Sequence, residues 1–351
     1  MKPDIFRQYT LAAPKIQYSL YNSNVKYTYL STFLPGTALI VEQALSASIK
    51  DVEIDLTLNG AIVYQTETNF QNLINLDFFN NTFVLLKKFE VKKDYDIFDT
   101  MLMWCNTHDL SNINAFTKKL GVHTFRLRLV KANEFIRYDV RKISFTEDKI
   151  AKDLRLKTNR LLPESEVWLM ERSEGFGFVL FRITNEPKNS QKLPGQLKPE
   201  LASMMCIYSE PSLNDVVLDP FAGYGTILTE RIKFPFKKVI GLDKEGRINA
   251  NIIVEISKED LFENTLEKES ITKIITDPPW GEFDTTIDIP YFYSHMFKEF
   301  KRILEPNGMI VLLVSRDIDI TYYLQENCFV IIDQLDILVS GKKATLYKIL
   351  N

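Results

Sequence analysis

Cysteine and histidine are scarce in this 351-residue chain, and their scarcity excludes several classes of protein. The three cysteines, Cys105, Cys206 and Cys328, are too few and too far apart for a disulfide framework or a zinc site. The three histidines are equally scattered, so we expect no metal site. Long apolar runs are missing, and the first residues lack the apolar core of a signal peptide, so we expect no membrane span and a reducing, cytoplasmic location.

Charge of one sign is also lacking overall, because the net charge is only -3. The distribution is uneven, since residues 115–160 contain 13 Lys and Arg but 5 Asp and Glu. Such a segment attracts phosphates, and an ordinary solvated surface is the alternative interpretation. The candidates for contact with a nucleic acid are Lys118, Lys119, Arg126, Arg128, Lys131, Arg137, Arg141 and Lys142.

A stretch rich in Pro, Lys, Asn and Gln, NEPKNSQKLPGQLKPE, divides the chain into two halves with different patterns of predicted strands and helices. After it, predicted strands and helices alternate, which indicates a doubly wound, mostly parallel sheet with ligands at the carboxyl ends of its strands. We expect the helix YFYSHMFKEFKRIL to be stopped by EPNG, and the last two strands to be antiparallel around a Gly-Lys-Lys turn. The first half has mixed patterns typical of small α+β units, with a hairpin at Asn59-Gly60 and a basic helix from Phe135 to about Leu156.

The segment LDPFAGYGT (Leu218–Thr226) joins a predicted strand to a predicted helix. Gly223 and Gly225 permit a sharp turn and let a ligand lie against the main chain, while the helix beginning offers free N–H groups. Asp243 ends the next strand, where a carboxylate can accept both hydroxyls of a ribose, and Asp260 is placed to accept from an adenine amine. An ordinary turn with solvated carboxylates is the alternative, but the strand context favours a nucleotide site.

The segment TDPPWG (Thr276–Gly281) follows the predicted strand ITKII, and its two prolines end that strand. Asp277 and the carbonyl of Pro278 are acceptors that can converge on one amine, and Trp280 supplies an apolar plane. Holding both hydrogens of an aromatic amine turns its lone pair toward an electrophile, so the pattern suits a planar base. A strand end with a buried tryptophan is the alternative.

Three consecutive aromatic residues, Tyr291, Phe292 and Tyr293, lie a short distance after this segment, at the start of the predicted helix YFYSHMFKEFKRIL. Such residues belong most often to a helix core, and a place in the base pocket is the alternative. Trp104 and Trp168 lie in apolar patterns typical of a core.

DPFAGYGT and DPPWG, about sixty residues apart, resemble the motifs of S-adenosylmethionine-dependent methyltransferases that modify amino groups. LDPFAGYGTILTE with LKPELASMM before it is similar to the THUMP-containing RNA guanine-N2 methyltransferases. TFLPGTALIVEQAL resembles the opening segment of that family, and the segments TFRLRLVKANEF and EVWLMERSEGFGFVLFRIT resemble its THUMP unit. The resemblance implies an α/β fold, in which a Rossmann-like, doubly wound methyltransferase domain with an antiparallel last strand follows ferredoxin-like and THUMP domains of α+β type.

The resemblance also sets domain boundaries and site residues. We place the ferredoxin-like domain at 1–95, the THUMP-like RNA-binding domain at 96–185, a linker at 186–200 and the methyltransferase domain at 201–351. The residues expected to bind S-adenosylmethionine are Asp219, Phe221, Ala222, Gly223, Gly225, Thr226, Asp243 and Asp260. The residues expected to hold the target amine are Asp277, Pro278, Pro279 and Trp280.

The implied activity is methylation of the exocyclic N2 amine of a guanosine in RNA, with tRNA as the expected substrate and a small activating protein as a further partner. This sequence departs from the pattern of the family at two places, and each departure leaves an alternative function open. The family usually has Tyr or Phe at the position of Trp280, and tryptophan there is also found in adenine-N6 methyltransferases, so adenine-N6 or cytosine-N4 methylation of RNA or DNA remains open. Only eight residues separate Asp243 from the strand predicted at Ile252, fewer than a helical crossover needs, which leaves a catalytically inactive RNA-binding or partner subunit as another possibility.

Overall fold

The computed structural model describes residues 26–91, 96–184, 195–244, 255–257, 260–281 and 287–351. These residues fall into two compact units. The N-terminal unit contains residues 26–32 and 51–184, and the C-terminal unit contains residues 33–50 and 195–351.

Both units contain a sheet of β-strands. In chain order they are β1 (Tyr27–Thr32), β2 (Glu53–Leu58), β3 (Ala61–Thr66), β4 (Asn81–Glu90), β5 (Thr124–Lys131), β6 (Glu134–Phe135), β7 (Lys157–Thr158), β8 (Ser165–Arg172), β9 (Phe176–Arg182), β10 (Val216–Asp219), β11 (Lys238–Leu242), β12 (Glu255–Ser257), β13 (Ile271–Thr276), β14 (Leu304–Ser315), β15 (Val330–Val339) and β16 (Lys342–Leu350).

The helices lie between these strands. They are α1 (Ala38–Ser48), α2 (Phe70–Ile74), α3 (Ile97–Thr107), α4 (Asn114–Leu120), α5 (Val140–Leu154), α6 (Pro199–Tyr208), α7 (Thr226–Arg231), α8 (Ile289–Ile303) and α9 (Thr321–Glu326), with short 3₁₀ turns at Ser111–Ile113 and Leu261–Glu263. Among the helices in the described ranges, none is long and apolar enough to cross a membrane.

The N-terminal unit is built on one mixed sheet of nine strands, in the order β2-β3-β1-β4-β9-β8-β5-β6 with β7 beside β5. The hairpin predicted at Asn59-Gly60 is present, and Gly60 has a φ of +97° that suits glycine at this turn. β4 pairs with β9, so the sheet continues across the boundary predicted near residue 95. The division into ferredoxin-like and THUMP-like domains stays a prediction, since continuous pairing of strands does not by itself identify a domain family.

The C-terminal unit is built on a seven-stranded sheet in the order β12-β11-β10-β13-β14-β16-β15. The first five of these strands are parallel to their neighbours, and β16 is antiparallel to both β14 and β15. The predicted doubly wound sheet with an antiparallel last strand is therefore confirmed. Its core contains fully buried aromatic residues of α8, including Tyr293, Phe297 and Phe300, against β-branched residues of the sheet such as Ile274 and Ile310.

Parallel pairing brings the ends of three strands to one edge of the sheet. β10 ends with Asp219, β11 is followed by Asp243, and β13 is followed by Asp277. Because β10 lies between β11 and β13, the three carboxylates follow neighbouring strands. A strand order of this kind creates a ligand crevice at the carboxyl edge.

Three local expectations were wrong. EPNG does not separate α8 from the following strand, because β14 already begins at Leu304, pairs there with Ile271, and resumes regular pairing after an irregularity. The final hairpin turns at Ser340-Gly341, whose φ values of +52° and +87° suit a two-residue turn, so the two lysines belong to β16. The basic helix begins at Val140, because Glu134–Phe135 instead pairs with β5 as β6.

Two sequence-based expectations fall outside the described residues. The predicted linker lies mostly in residues 185–194, and α6 already begins at Pro199 within its predicted end. The short connection expected after Asp243 lies in residues 245–254.

Candidate active site

The glycine segment forms a tight loop between β10 and α7. Gly223 and Gly225 have φ values of +51° and +75°, a backbone region that side chains with a Cβ rarely adopt. The Ala222 N–H donates to the Leu242 carbonyl at 3.0 Å, which ties the loop to the neighbouring strand β11. A Cβ on Gly223 would reach no atom nearer than 3.9 Å, so the free space beside this glycine faces a potential ligand.

Asp219 lies beneath this loop and is 1% exposed. Its Oδ1 accepts hydrogen bonds from the Thr276 hydroxyl at 2.9 Å and from the Phe221 N–H at 3.2 Å. Neither donor is charged, so burial raises the pKa of the Asp219 carboxyl to about 7, and the nearby Asp243 adds to the rise. A cationic ligand in this place would stabilise the ionised carboxylate.

The residues Asp277–Gly281, which we call the catalytic loop, extend from the end of β13. Burial raises the pKa of the Asp277 carboxyl to about 7, the charge of Asp219 raises it further, and the nearby Trp280 indole offsets part of the rise. The Trp280 Nε1 is buried and lacks a well-aligned hydrogen-bond partner in the described part of the chain. Gly281 has a φ of +79° and lies against the side chain of Ile289 at the start of α8.

One cavity of about 670 Å³ joins the glycine loop to the catalytic loop. It is lined by the predicted residues Asp219, Phe221, Ala222, Gly223, Thr226, Asp243, Asp260, Asp277, Pro278, Pro279 and Trp280. Gly225 is buried behind the loop and does not line the cavity, so it shapes the turn instead. The structure thus brings the candidate residues together, and their individual roles stay predictions.

Asp243 and Asp260 stand on the side of the cavity formed by β11 and the turn after β12. Asp243 is 7% exposed. The Asp260 Oδ1 accepts the Phe262 N–H at 3.1 Å and so caps the short turn Leu261–Glu263. The carboxylate of Asp260 is therefore shared between a local structural contact and the cavity.

The structure adds residues to the cavity that the sequence did not single out. Lys198, just before α6, and Lys342, at the start of β16, both line it. Lys198 lies in LKPE, the segment already compared with the family, whereas no local signal marks a lysine at the far end of the chain. Of the three aromatic residues at the start of α8, Phe292 lines the cavity, Tyr293 is fully buried and Tyr291 is 64% exposed. The pocket interpretation therefore holds for Phe292 and the core interpretation for Tyr293, whereas Tyr291 fits neither.

The basic candidates belong to the N-terminal unit and have different surroundings. Arg126 and Arg128 lie on one face of β5, as predicted, but both pair with Glu166 of β8, which is 1% exposed. The Arg128 guanidinium also lies 4.1 Å from the ring centre of Phe135. Those two arginines therefore stabilise the sheet, whatever else they bind.

The remaining basic candidates are at the surface. Lys131 pairs with Glu171 at 3.0 Å, and Lys142 pairs with Asp99 at 2.7 Å. The side chains of the other four, Lys118, Lys119, Arg137 and Arg141, are exposed. Surface pairs of this kind cost little to break, so these side chains remain available to phosphates. Within the described residues, no group of His, Cys, Asp and Glu is arranged to hold a metal ion.

A parallel sheet with a glycine loop after one strand, acidic residues after its neighbours and DPPW at the same edge defines the class of methyltransferase-type Rossmann domains. Residues 188–234 and 239–336 match the family described as UPF0020: RMKL-like, methyltransferase domain. This part of the chain therefore resembles an RMKL-like methyltransferase domain, and the domain boundaries set from the sequence stay predictions.

Curated relatives match part of this chain. The U6 snRNA (guanine-N(2))-methyltransferase THUMPD2 of Bos taurus is 32% identical over 154 residues, which cover 40% of this chain and 30% of that protein. The tRNA (guanine(10)-N2)-dimethyltransferase of Methanocaldococcus jannaschii is 30% identical over 105 residues, which cover 25% of this chain and 30% of that protein. The chain thus matches less than a third of the length of these relatives.

Solved structures resemble nearly the whole chain in fold. TrmN from Thermus thermophilus has a TM-score of 0.71 at 16% identity and covers 93% of this chain and 100% of its own. A predicted N6-adenine-specific DNA methylase from Listeria monocytogenes has a TM-score of 0.63 at 12% identity, covering 92% of this chain and 96% of its own. At such identities the likeness concerns the fold alone, and the N6-adenine name of one neighbour shows why the fold does not identify the base.

The cavity fits the cofactor expected from the sequence. Its volume of about 670 Å³ lies within the usual range for cofactor sites. The open space beside Gly223 admits a ligand against the main chain, and the carboxylates of Asp219 and Asp277 favour a ligand with positive charge. S-adenosylmethionine is elongated and carries a cationic sulfur, so these residues suit it.

Proposed function

We propose that this chain is an S-adenosylmethionine-dependent RNA methyltransferase that modifies the exocyclic N2 amine of a guanosine, with tRNA as its substrate. The observation that carries the proposal is that the glycine loop and the catalytic loop face the same cavity. Relatives named for guanine-N2 methylation of U6 snRNA and tRNA support the choice of RNA and of guanine.

The residues of the catalytic loop carry out the positioning. Asp277 and the Pro278 carbonyl accept the two hydrogens of the target amine, and the Trp280 ring stacks on the base. S-adenosylmethionine, when bound, supplies an electrophilic methyl group attached to a positively charged sulfur. Transfer of that methyl group to the amine nitrogen held by Asp277 and Pro278 would release a neutral thioether and leave a positive charge on the nitrogen.

Asp277 then has a second role. The positively charged nitrogen must lose a proton, and the Asp277 carboxylate is hydrogen-bonded to that amine in the proposed arrangement. Burial raises the pKa of Asp277 to about 7, so its carboxylate is a better proton acceptor than an ordinary aspartate. The carboxylates of Asp219 and Asp277, which line the cavity, also favour the cationic cofactor before the transfer.

The N-terminal unit supplies the RNA contacts in this proposal. Exposed basic side chains, such as Arg137 and Arg141, would contact phosphates and position the RNA without reading its sequence. The target guanosine would leave its stack to enter the cavity, as other enzymes that act on bases require. A THUMP-like role for this unit, and a small activating protein as partner, belong to the same proposal.

One observation favours a second candidate, methylation of adenine N6. Trp280 occupies the position where guanine-N2 enzymes usually have Tyr or Phe, and its ring would stack on either purine. Adenine and guanine both present an exocyclic amine, so the acceptors of the catalytic loop do not distinguish them.

The experiment that tests the proposal is methyl transfer from labelled S-adenosylmethionine to total RNA, followed by mass-spectrometric analysis of nucleosides. We expect N2-methylated guanosine, and Asp277→Ala should abolish it. N6-methyladenosine or N4-methylcytidine would refute the guanine assignment. Measurable cofactor binding without transfer to any RNA or DNA, also in the presence of candidate activating proteins, would favour an inactive partner subunit.

A further inference from the structure

The catalytic loop requires an anchor that the sheet does not supply. It leaves β13 at Asp277, and proline has no N–H with which to continue the pairing of a strand. The pyrrolidine ring of Pro279 fixes φ but leaves ψ to be set by the surroundings. The direction of the chain from Pro279 into Trp280 therefore depends on what holds the Pro279 carbonyl.

Tyr293 provides such a contact from beneath the loop. Its hydroxyl donates a hydrogen bond to the Pro279 carbonyl at 3.3 Å. The Tyr293 side chain is fully buried in the core between α8 and the sheet. Burial and the neighbouring Asp277 hold the pKa of the Tyr293 hydroxyl well above its usual range, so it remains a donor at any physiological pH.

The position of this hydroxyl is itself fixed by packing. The Tyr293 ring lies against Phe292 and Tyr323, with ring centres 5.6 Å and 6.3 Å away. One turn earlier on α8, the Ile289 side chain would be only 3.0 Å from a Cβ on Gly281, so the helix also confines the end of the loop. One face of α8 thus supports the catalytic loop at two places.

We propose that Tyr293 is a positioning residue for the methyl-transfer reaction, which fixes the Pro279 peptide so that Trp280 and the acceptors before it keep their orientation toward the target base. This inference rests on the proposed function for its kinetic consequence, but its structural consequence can be measured without any substrate. Tyr293 does not touch the base or the cofactor in this scheme, and it acts through the main chain of the loop.

The kinetic test compares Tyr293→Phe with Tyr323→Phe, a matched loss of one hydroxyl from the neighbouring ring. Removing one neutral hydrogen bond that positions a reacting group should lower kcat by about tenfold in Tyr293→Phe. The dissociation constant of S-adenosylmethionine and the KM for RNA should stay within about twofold, because the loop contact does not carry binding. Equal kcat values for the two variants would refute the proposal, and so would a Tyr293→Phe defect confined to KM.

A second measurement separates failure of this inference from failure of the proposed function. The full chain is labelled with 5-fluorotryptophan, and the ¹⁹F resonance of Trp280 is assigned by its loss in Trp280→Phe. Tyr293→Phe should shift or broaden this resonance while the resonances of Trp104 and Trp168 stay unchanged. An unchanged Trp280 resonance overturns the positioning role even if the protein is active, and a shift shows that Tyr293 fixes the loop even if no RNA substrate is found.

Discussion

Binding of S-adenosylmethionine should weaken as the pH falls, because two carboxylates that line the cavity, Asp219 and Asp277, must be ionised to favour a cation. Burial raises the pKa values of Asp219 and Asp277 to about 7. If only the ionised form of one carboxylate binds, the apparent dissociation constant rises about eightfold between about pH 7.5 and about pH 6. The two carboxylates interact and titrate as a pair, so the combined effect is at least this large.

Isothermal titration calorimetry at several pH values measures this effect directly. The amino group of the cofactor gains its proton as the pH falls, which favours binding, so weaker binding at low pH reports on the protein. S-adenosylhomocysteine lacks the charge on sulfur and should show a smaller dependence. Asp219→Asn keeps an acceptor for the Thr276 hydroxyl but removes the titration, so its pH dependence should be flatter.

The same pKa values predict how stability changes with pH. Because the folded-state pKa of Asp219 lies above its ordinary value, the folded chain binds more protons than the unfolded chain between about pH 4 and about pH 7. The free energy of unfolding should therefore fall as the pH rises through this window, and Asp219→Asn should raise the thermal midpoint at neutral pH more than in acid. Cofactor affinity that is constant or stronger at low pH, with no such difference in midpoint, would refute the reasoning.

Three further predictions concern the loop, the basic surface and the core. Asp277→Ala should abolish methyl transfer while the dissociation constant of S-adenosylmethionine rises by no more than about tenfold, the effect expected from loss of one carboxylate charge, and a loss of cofactor binding beyond about a hundredfold by calorimetry would contradict the assigned role. The double variant Arg137→Ala, Arg141→Ala should reduce the slope of log RNA affinity against log salt concentration by about one to two. Lys50→Ala, at an exposed lysine of the C-terminal unit, should leave that slope unchanged, and equal slopes for the two variants would argue against phosphate contacts. Arg231→Ala should lower the free energy of unfolding by about 1.5–3 kcal/mol in denaturant titrations, because the buried Asp215 loses the closer of its two cationic partners and keeps only Lys273, and a loss below about 1 kcal/mol would show that Lys273 alone satisfies that carboxylate.

The candidate site could be predicted from the sequence because its parts are local. Asp219, Asp243 and Asp277 each follow an apolar strand, and parallel strands place such residues at one edge. Glycines mark the loop and prolines mark the end of β13, so each signal lies within a few residues of the feature that it predicts.

The rest depended on partners far away in the chain. β4 and β9 pair although about 90 residues separate them, and no local pattern distinguishes one nine-stranded sheet from two smaller ones. Arg126 and Arg128 show the same limit, because the sequence indicates a basic strand face but not the buried Glu166 that both arginines contact. Lys342 reaches the cavity only because β16 runs antiparallel to β14, which a local motif does not encode.

The placement of α1 has a consequence for synthesis of the chain on the ribosome. α1 belongs to the C-terminal unit and contacts α6, with Ile40, Val41 and Leu45 buried. About 150 residues separate the end of α1 from the start of α6, so this helix leaves the ribosome long before its packing partner exists. An expression fragment that begins after the linker would lack α1 altogether and leave the surface of α6 uncovered, so dissection of this protein should retain residues 33–50 with the methyltransferase domain.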